Sequence, residues 1–239
     1  MKRNLMYLTL CLVLVFSMTS CRKRFVGEGP IVSKDYNLNN FSTISLALSA
    51  TVYYQYDSIY SVEIQAQQNI LDMLKISKEG SDLCIGFKNY INIYKHDPIT
   101  IYIHSPSYEG ASISGSGTVH VSGAYTASNL DIDISGSGRL HVDQINATSA
   151  DITISGSGKA ELYSGIIPTL QTNISGSGSV LANNVESKFV TTITSGSGTT
   201  RVWAGELLNA TISGSGNVYY KGNPIIIKDI SGSGKLIKL

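Results

Sequence analysis

Apolar residues occupy every second position over long stretches of this chain, a pattern typical of strands with one buried face. The same alternation recurs over residues 152–162 and 170–182, and it passes through pairs of glycines without a change of phase. The pattern predicts β-structure throughout, with the alternating positions inside. In one such stretch these positions are Leu130, Ile132, Ile134, Gly136, Gly138, Leu140 and Val142.

A repeated tetrapeptide organises these strands. Ser-Gly-Ser-Gly occurs seven times, starting at residues 114, 135, 155, 175, 195, 213 and 231. The successive spacings are 21, 20, 20, 20, 18 and 18 residues. A fixed period with constant phase favours stacked coils over hairpins. The sequence therefore predicts an all-β fold, a single-chain parallel β-helix (β-solenoid) with coils of about 20 residues.

The glycines of the tetrapeptide are expected at a sharp corner of each coil. Both glycines share the inward phase, so the corner is predicted to have no room for a Cβ atom, and the serines are predicted to point outward. One coil departs from the pattern, because Thr192 and Thr194 take inward positions while Ile193 points out. This coil is expected to be either a local slip of the alternation or a weak point of the stack.

Residues 41–108 lack the tetrapeptide but contain further alternating segments. They are interpreted as the first coils and cap of the same solenoid, so that residues 41–239 form one domain. The stretch of residues 70–76 is the exception, and it is predicted to be either one helical turn or an irregular corner.

Four segments resemble a known family. They are Asn69-Ile-Leu-Asp-Met-Leu, Gly80-Ser-Asp-Leu-Cys-Ile, Pro98-Ile-Thr-Ile-Tyr-Ile-His-Ser-Pro106 and the Ile-Ser-Gly-Ser-Gly coils. The chain is similar in these segments, over about residues 41–238, to the putative auto-transporter adhesin head GIN domain family of bacterial surface proteins. The resemblance implies a right-handed parallel β-helix with an extracytoplasmic, adhesion-related role. It brings no catalytic residues with it.

The N-terminus has the pattern of a lipoprotein signal. Lys2 and Arg3 precede a mostly apolar run over residues 5–16, which is short for a membrane span, and small residues then lead to Cys21. Residues 1–20 are predicted to be the signal peptide, Cys21 the lipidated residue, and residues 21–40 the anchor and its tether. The expected location is the outer membrane of the cell envelope. The bases that follow Cys21 slightly favour a periplasm-facing domain over a surface-exposed one.

Composition limits the classes of partner. Without residues 1–20 the chain has 16 bases and 17 acids, which argues against nucleic acid as a partner. Only Cys84 remains besides Cys21, so no internal disulfide is expected. Phosphate-binding, dinucleotide and nucleophile-elbow motifs are absent from the sequence, and no cofactor is predicted.

Stacking makes residues one period apart into neighbours, which suggests two ligand sites. His120, His141 and Glu161 fall one above another and offer ligands to a transition metal, although the favoured explanation is a solvated polar face. Arg201, Trp203 and Tyr219 face outward on adjacent coils. They suit binding to a sugar or a protein, or else they shield the shorter coils.

Three functions remain open. The leading hypothesis is a non-enzymatic envelope lipoprotein, held to the membrane by its anchor, whose surface binds a glycan or protein. The first alternative is a glycan-active enzyme that uses Asp131, Asp133 and Asp151, which could also be plain surface carboxylates. The second is a structural spacer or self-assembling element, with the oligomeric state left open.

Overall fold

The computed structural model describes residues 24–88 and 92–239, and the predicted signal peptide and Cys21 lie outside these residues. Nearly all of the described chain is β-strand, with one short helix, α1. The elements in chain order are β1 Arg24–Val26, β2 Ile31–Tyr36, β3 Thr43–Ala47, β4 Thr51–Tyr56, β5 Ser61–Gln67, α1 Gln68–Leu71, β6 Leu74–Glu79, β7 Asp82–Phe87, β8 Asn92–Lys95, β9 Thr100–Ser105, β10 Gly110–Gly115, β11 Thr118–Gly136, β12 Arg139–Gly156, β13 Lys159–Ile166, β14 Thr169–Gly176, β15 Ser179–Gly196, β16 Thr199–Gly214, β17 Asn217–Lys221, β18 Ile225–Gly232 and β19 Lys235–Lys238.

The predicted solenoid is confirmed. The chain winds into about six turns of about 20 residues, and from β10 onward successive coils pair in parallel. Each coil has three faces, which in the coil of β12 are residues 139–142 (the first face), 144–147 (the second face) and 149–154 (the third face). Between β11 and β12 the register is constant within each face, and it shifts by one residue between Val121 and Ala124, where the first face ends; equivalent positions on each face therefore lie directly above one another.

The core is the column of inward side chains that this stacking creates. The inward apolar positions are buried in every coil except the last, because the strands present alternate residues to the interior and the next coil covers each layer. In the coil of β12 the inward set is Leu140, Val142, Ile145, Ala147, Ala150, Ile152 and Ile154.

The two glycines of each tetrapeptide differ, and the prediction that both point inward is wrong for the first. Gly158 is buried, and a Cβ there would lie 2.4 Å from Cγ2 of Ile134 on the coil before. Gly156 has φ of +120°, and a Cβ there would lie 2.7 Å from the carbonyl oxygen of Gly136. The positive φ breaks the alternation, so the first glycine faces the neighbouring backbone and not the core. The serines are exposed, as expected.

The coil at Thr194 has the expected arrangement. Thr192, Thr194 and Thr200 are fully buried, and their hydroxyl groups have no hydrogen-bond partner among the described residues, whereas Ile193 is 41% exposed. Buried hydroxyls without partners cost free energy, so this coil packs less favourably than its neighbours.

The N-terminal part caps the stack in an order that differs from the chain order. Strand β3 lies between β7 and β10, and β4 lies between β9 and β11, so this coil is enclosed by coils that come later in the sequence. Antiparallel pairs β2–β5, β5–β9 and β6–β7 close the upper end. The helical turn that was one of the two alternatives for residues 70–76 is present but lies earlier in the chain, since α1 is Gln68–Leu71 and β6 begins at Leu74. Within the described ranges no helix has the length and apolar character needed to cross a bilayer.

Candidate ligand-binding site

The first face presents one column of outward side chains, one from each coil, which we call the ladder. Parallel in-register pairing places its members at the strand spacing of about 4.8 Å. The sequence predicted the ladder from His120 downward, and the structure adds two residues above it. From top to bottom the ladder is Tyr102, Tyr53, His120, His141, Glu161, Leu181, Arg201, Tyr219 and Ile237.

Sequence reasoning missed Tyr53 and Tyr102 because their strands lack the tetrapeptide. A local signal was nevertheless present. Thr51-Val52-Tyr53 and Thr100-Ile101-Tyr102 have the same order of threonine, aliphatic residue and ring as Thr118-Val119-His120. These three segments lie in register on the first face.

The upper part of the ladder is a stack of rings. The ring centroids of Tyr102 and Tyr53 are 5.5 Å apart with an interplanar angle of 17°, and those of Tyr53 and His120 are 5.5 Å apart at 16°. His141 is tilted, with its centroid 5.8 Å from His120 and 4.3 Å from Tyr163 on the adjoining column. Flat rings that are partly open to solvent can stack on the faces of a ligand.

Two carboxylates adjoin His141. Its Nε2 atom lies 3.7 Å from Oδ1 of Asp143, and its Nδ1 atom lies 3.7 Å from Oε2 of Glu161. The Nζ atom of Lys159 is closer to the same Glu161 oxygen, at 2.9 Å. This arrangement is a partly exposed network of charges, in which Lys159 balances one of the two carboxylates.

The residues of the predicted metal site are neighbours but do not converge. His120 contacts His141, and of the two histidines Glu161 pairs with His141, since the three side chains follow one another along a line. In residues 24–88 and 92–239, no three His, Cys, Asp or Glu side chains are grouped closely enough to hold a metal ion.

Two grooves adjoin the predicted sites. One, of about 240 Å³, lies on the third face, and the other, of about 220 Å³, lies on the first face. The groove on the first face, which we call the ladder groove, lies at the level of Leu181. It combines an exposed aromatic ring, two amides, a carboxylate and a guanidinium group. Its lining side chains include Glu161, Tyr163, Leu181, Asn183, Asn184 and Arg201.

The ladder groove results from the shortening of the coils. Below Ala182 the register jumps, because Ala182 pairs with Val202 while Glu186 pairs with Trp203. Residues 183–185 therefore have no partner on the coil below. Asn184 lies in this segment, and its Oδ1 atom accepts a hydrogen bond of 3.1 Å from Nζ of Lys221.

Of the predicted binding residues Arg201, Trp203 and Tyr219, only Arg201 lines the ladder groove. The guanidinium carbon of Arg201 is 5.0 Å from the centroid of the Tyr219 ring, a cation–π distance. Arg201 is exposed and pairs in register with Tyr219, while Trp203 is half-buried and pairs with Lys221. Arg201 thus serves both the groove and the aromatic pair.

The aspartates that suggested an enzyme lie on the third face. Asp131 stacks on Asp151, and Asp133 stacks on Thr153. Asp131 and Asp133 line the third-face groove together with Asp82, and the remaining lining residues are Thr43, Ile44, Ser45, Ala111 and Ser112. These lining residues include no aromatic or basic side chain that could hold a sugar in place.

The comparisons with known proteins decide the family. A family model described as "Putative auto-transporter adhesin, head GIN domain" matches residues 40–224. The chain belongs to this family. The resemblance found in the sequence is thereby confirmed, and strands β18 and β19 of this GIN domain protein extend beyond the matched region.

Solved structures are similar to this GIN domain over most of their length. A putative adhesin from Bacteroides fragilis has a TM-score of 0.83 at 23% identity, covering 90% of this chain and 100% of its own. A putative lipid binding protein from Parabacteroides distasonis has a TM-score of 0.73 at 25% identity, covering 91% and 100%. A putative adhesin from Parabacteroides merdae has a TM-score of 0.70 at 20% identity, covering 90% and 99%. No curated protein matches the chain.

Proposed function

We propose that this protein is a non-enzymatic adhesin of the cell envelope that binds a glycan through its first face. The supporting observation is the ladder groove, where a ring, two amides, a carboxylate and a guanidinium group surround one opening. Aromatic faces stack on the apolar faces of sugar rings, and amides and charged groups pair with hydroxyls. The family description supports an adhesive role.

The rigid ring stack above the groove extends the proposed binding surface. Tyr53 is 38% exposed and is stacked between Tyr102 and His120, whereas Tyr163 is 49% exposed and its ring lies against His141 at an interplanar angle of 55°. Side chains that are already ordered lose little conformational entropy when a ligand binds. A linear glycan that runs along the ladder would meet rings first and the ladder groove below.

A glycan array tests this proposal directly. The chain from residue 22 onward, which contains every described residue, should bind a subset of glycans. Tyr163→Ser and Arg201→Gln should each weaken that binding by about tenfold, since each removes a stacking face or a charged hydrogen-bond donor. The matched control is Tyr94→Ser, because Tyr94 is 67% exposed and lies outside the first face.

Other outcomes would separate the alternatives. Protein capture that depends on Tyr163 and Arg201, with no glycan bound, would assign the first face to a protein ligand. Cleavage of a bound glycan that stops in Asp131→Asn or Asp151→Asn would contradict the non-enzymatic proposal. Binding that is equal in all the variants would remove the first face from the function.

Membrane attachment through Cys21 is part of the proposal. Small residues directly before this cysteine support lipidation, and β1 begins only three residues later. Cys21→Ala should move the protein from the membrane fraction to the soluble fraction of lysed cells, whereas Cys84→Ala should leave it in the membrane fraction. Retention of Cys21→Ala at the membrane would refute the anchor.

A further inference from the structure

The ladder groove contains one carboxylate, and this carboxylate is already paired. Oε2 of Glu161 lies 2.9 Å from Nζ of Lys159 and 3.7 Å from Nδ1 of His141. The positive charge of Lys159 offsets the negative charge of Glu161, so the pair contributes little net charge to the opening. The remaining basic residues therefore decide which charge a ligand of the groove must carry.

Arg201 lines the ladder groove and has no acidic partner. It is exposed, and over residues 24–88 and 92–239 no carboxylate lies within 4.0 Å of its guanidinium group. Its contact with the Tyr219 ring holds the guanidinium group without a hydrogen-bond acceptor. The planar N–H donors of Arg201 are thus available to a ligand, and their geometry matches a pair of carboxylate or sulfate oxygens.

Lys221 brings a second cation to the ladder groove. Strand β16 lies between β15, which carries Asn184, and β17, which carries Lys221. The Nζ atom of Lys221 nevertheless donates a hydrogen bond of 3.1 Å to Oδ1 of Asn184, a lining residue, in the segment that has no partner on the coil below. Among the described residues no carboxylate lies within 4.0 Å of this Nζ atom either. Arg201 and Lys221 therefore reach the groove from adjoining outward columns, both without a counter-charge.

The surroundings of the two grooves have opposite charge. From β12 to β19, bases outnumber acids at the outward positions of the first face and the corner that follows it. The bases are Arg139, Lys159, Arg201, Lys221 and Lys235, and the acids are Asp143 and Glu161. The third-face groove, in contrast, is lined by Asp82, Asp131 and Asp133 and by no base. An anionic ligand is therefore attracted to the ladder groove and repelled by the third-face groove.

We propose that the ladder groove binds an acidic glycan, whose carboxylate or sulfate group lies between Arg201 and Lys221. This rests on the glycan-binding function proposed above and adds the charge of the sugar. Charge-assisted hydrogen bonds from Arg and Lys are roughly twice as strong as neutral ones. Tyr163, which also lines the groove, offers a flat face to the sugar ring. A neutral glycan would leave both cations without a counter-charge.

Paired glycan probes test the charge of the ligand. The carboxylate probes are oligogalacturonate, hyaluronan and oligosialic acid, each beside its carboxyl-reduced form, and the sulfate probe is chondroitin sulfate beside its desulfated form. The chain from residue 22 onward should bind at least one acidic probe about tenfold more tightly than its partner without the carboxylate or sulfate. The pair that shows the difference identifies the acidic group. Added salt should weaken the binding of the acidic form.

Variants separate the role of charge from that of the ring. Lys221→Gln can keep a hydrogen bond to Asn184 but loses the charge, so it should reduce the preference for the acidic form by about threefold or more. Arg201→Gln/Lys221→Gln should abolish the preference. Tyr163→Ser should instead weaken both forms of a probe by the same factor, because it removes a stacking face and no charge. The matched control is Lys78→Gln, which causes the same change in net charge at an exposed position of β6 and should leave the preference unchanged.

The outcomes distinguish this proposal from the one on which it rests. Equal binding of acidic and neutral forms that is lost in Tyr163→Ser would overturn the preference for an acidic glycan and leave glycan binding intact. Binding of no glycan would overturn both proposals. Binding of duplex DNA as tight as that of the acidic glycans would show a general attraction of anions and would also overturn the assignment to an acidic glycan.

Discussion

Each tetrapeptide needs two glycines, and each glycine is needed for a different physical reason. At Gly158 a side chain would enter the core against Ile134, whereas at Gly156 it would meet the carbonyl oxygen of Gly136 on the coil before. Gly156 also has φ of +120°, which a β-branched residue adopts only with strain. The neighbouring Ser157 is exposed and free of these constraints.

Gly156→Val should therefore lower the free energy of unfolding by about 3 kcal/mol, because it combines backbone strain with a steric clash. Ser157→Thr should change it by less than about 0.5 kcal/mol, as expected for an exposed site. Urea denaturation of both variants measures the difference. Equal losses in the two variants would contradict the assigned role of Gly156.

A substitution at Thr194 measures how much one buried hydroxyl group destabilises this coil. The Oγ1 atom of Thr194 is buried without a hydrogen-bond partner among the described residues, and Ile174 and Ile212 occupy the same position on the coils above and below. Thr194→Val keeps the shape and removes the unpaired group, so it should raise the free energy of unfolding by about 1 kcal/mol. Thr191→Val, at an outward position, should have little effect. A loss of stability in Thr194→Val would indicate that the hydroxyl has a partner, such as a buried water.

Three buried tyrosines predict a dependence on alkaline pH. Burial raises the pKa of Tyr54, Tyr108 and Tyr125 above the ordinary value of 10.0, most clearly for the fully buried Tyr108. Above about pH 10 the unfolded chain releases these protons while the folded chain keeps them. The folded state then binds more protons, so its stability falls as the pH rises.

The free energy of unfolding should thus be insensitive to these groups below about pH 9 and should fall above pH 10, by about 1.4 kcal/mol per pH unit for each tyrosine that stays protonated. Tyr108→Phe removes one titrating group and should make the decrease less steep. Urea denaturation between neutral pH and pH 11 measures both slopes. An unchanged slope in Tyr108→Phe would rule out this residue as a source of the alkaline sensitivity.

At the scale of elements, the coil is the unit of the fold. Lys159 pairs in register with Ser179. Deletion of residues 159–178 therefore joins Gly158 to Ser179, which occupies the same position in its coil as Lys159 does. The shortened chain should fold with the same parallel pairing, because each coil contacts only its neighbours. Its urea m-value should be lower, in proportion to the surface that one coil buries.

Deletion of half a coil provides the control. Removal of residues 159–168 would join Gly158 to Thr169, which belongs to the third face, and would put third-face sequence under the first face. This variant should not fold cooperatively. If both deletions gave equally stable proteins, the equivalence of positions one period apart would be wrong.

The strand pairing could be predicted from the sequence for the coils that contain the tetrapeptide, but not for the cap. The repeat marks the same corner in every coil, so the stacking of His120 on His141 could be predicted. Strands β2, β5 and β6 pair antiparallel with partners that no repeat identifies, and the enclosed position of β3 and β4 depends on long-range contacts alone.

The ladder groove shows a second limit of the sequence. The spacing of 18 residues after Ser195 indicates that two residues are lost from the coil, but not where. The structure shows that three positions are lost below Ala182 and one is regained between Ser187 and Phe189, and the first of these changes puts Asn183 and Asn184 at the opening. The alternation of apolar and polar residues likewise predicted the wrong orientation for the first glycine of each corner. A positive φ at that glycine reverses the alternation, and the spacing of the apolar residues gives no sign of it.

At the scale of the whole molecule, the solenoid has two different ends. The upper end carries the antiparallel cap, the strand nearest the predicted anchor and most of the negative charge. The lower end carries exposed apolar residues on its last coil, Ile225 and Ile227, and an excess of positive charge, since residues 179–239 contain 6 bases and 3 acids. The sequence contains this asymmetry as a count of charges, but its direction becomes meaningful only when the coils define an axis.

The enclosed position of β3 and β4 has a mechanical consequence. If tension is applied through the N-terminus, β1 detaches from β8 first and β2 detaches from β5 next, because among the described strands each of them pairs with a single partner. The force then reaches β3 and β4, each of which is held by a strand above and a strand below. Further extension must break both sets of hydrogen bonds together, so an adhesin loaded at this end resists unravelling better than one that peels from a free terminal coil.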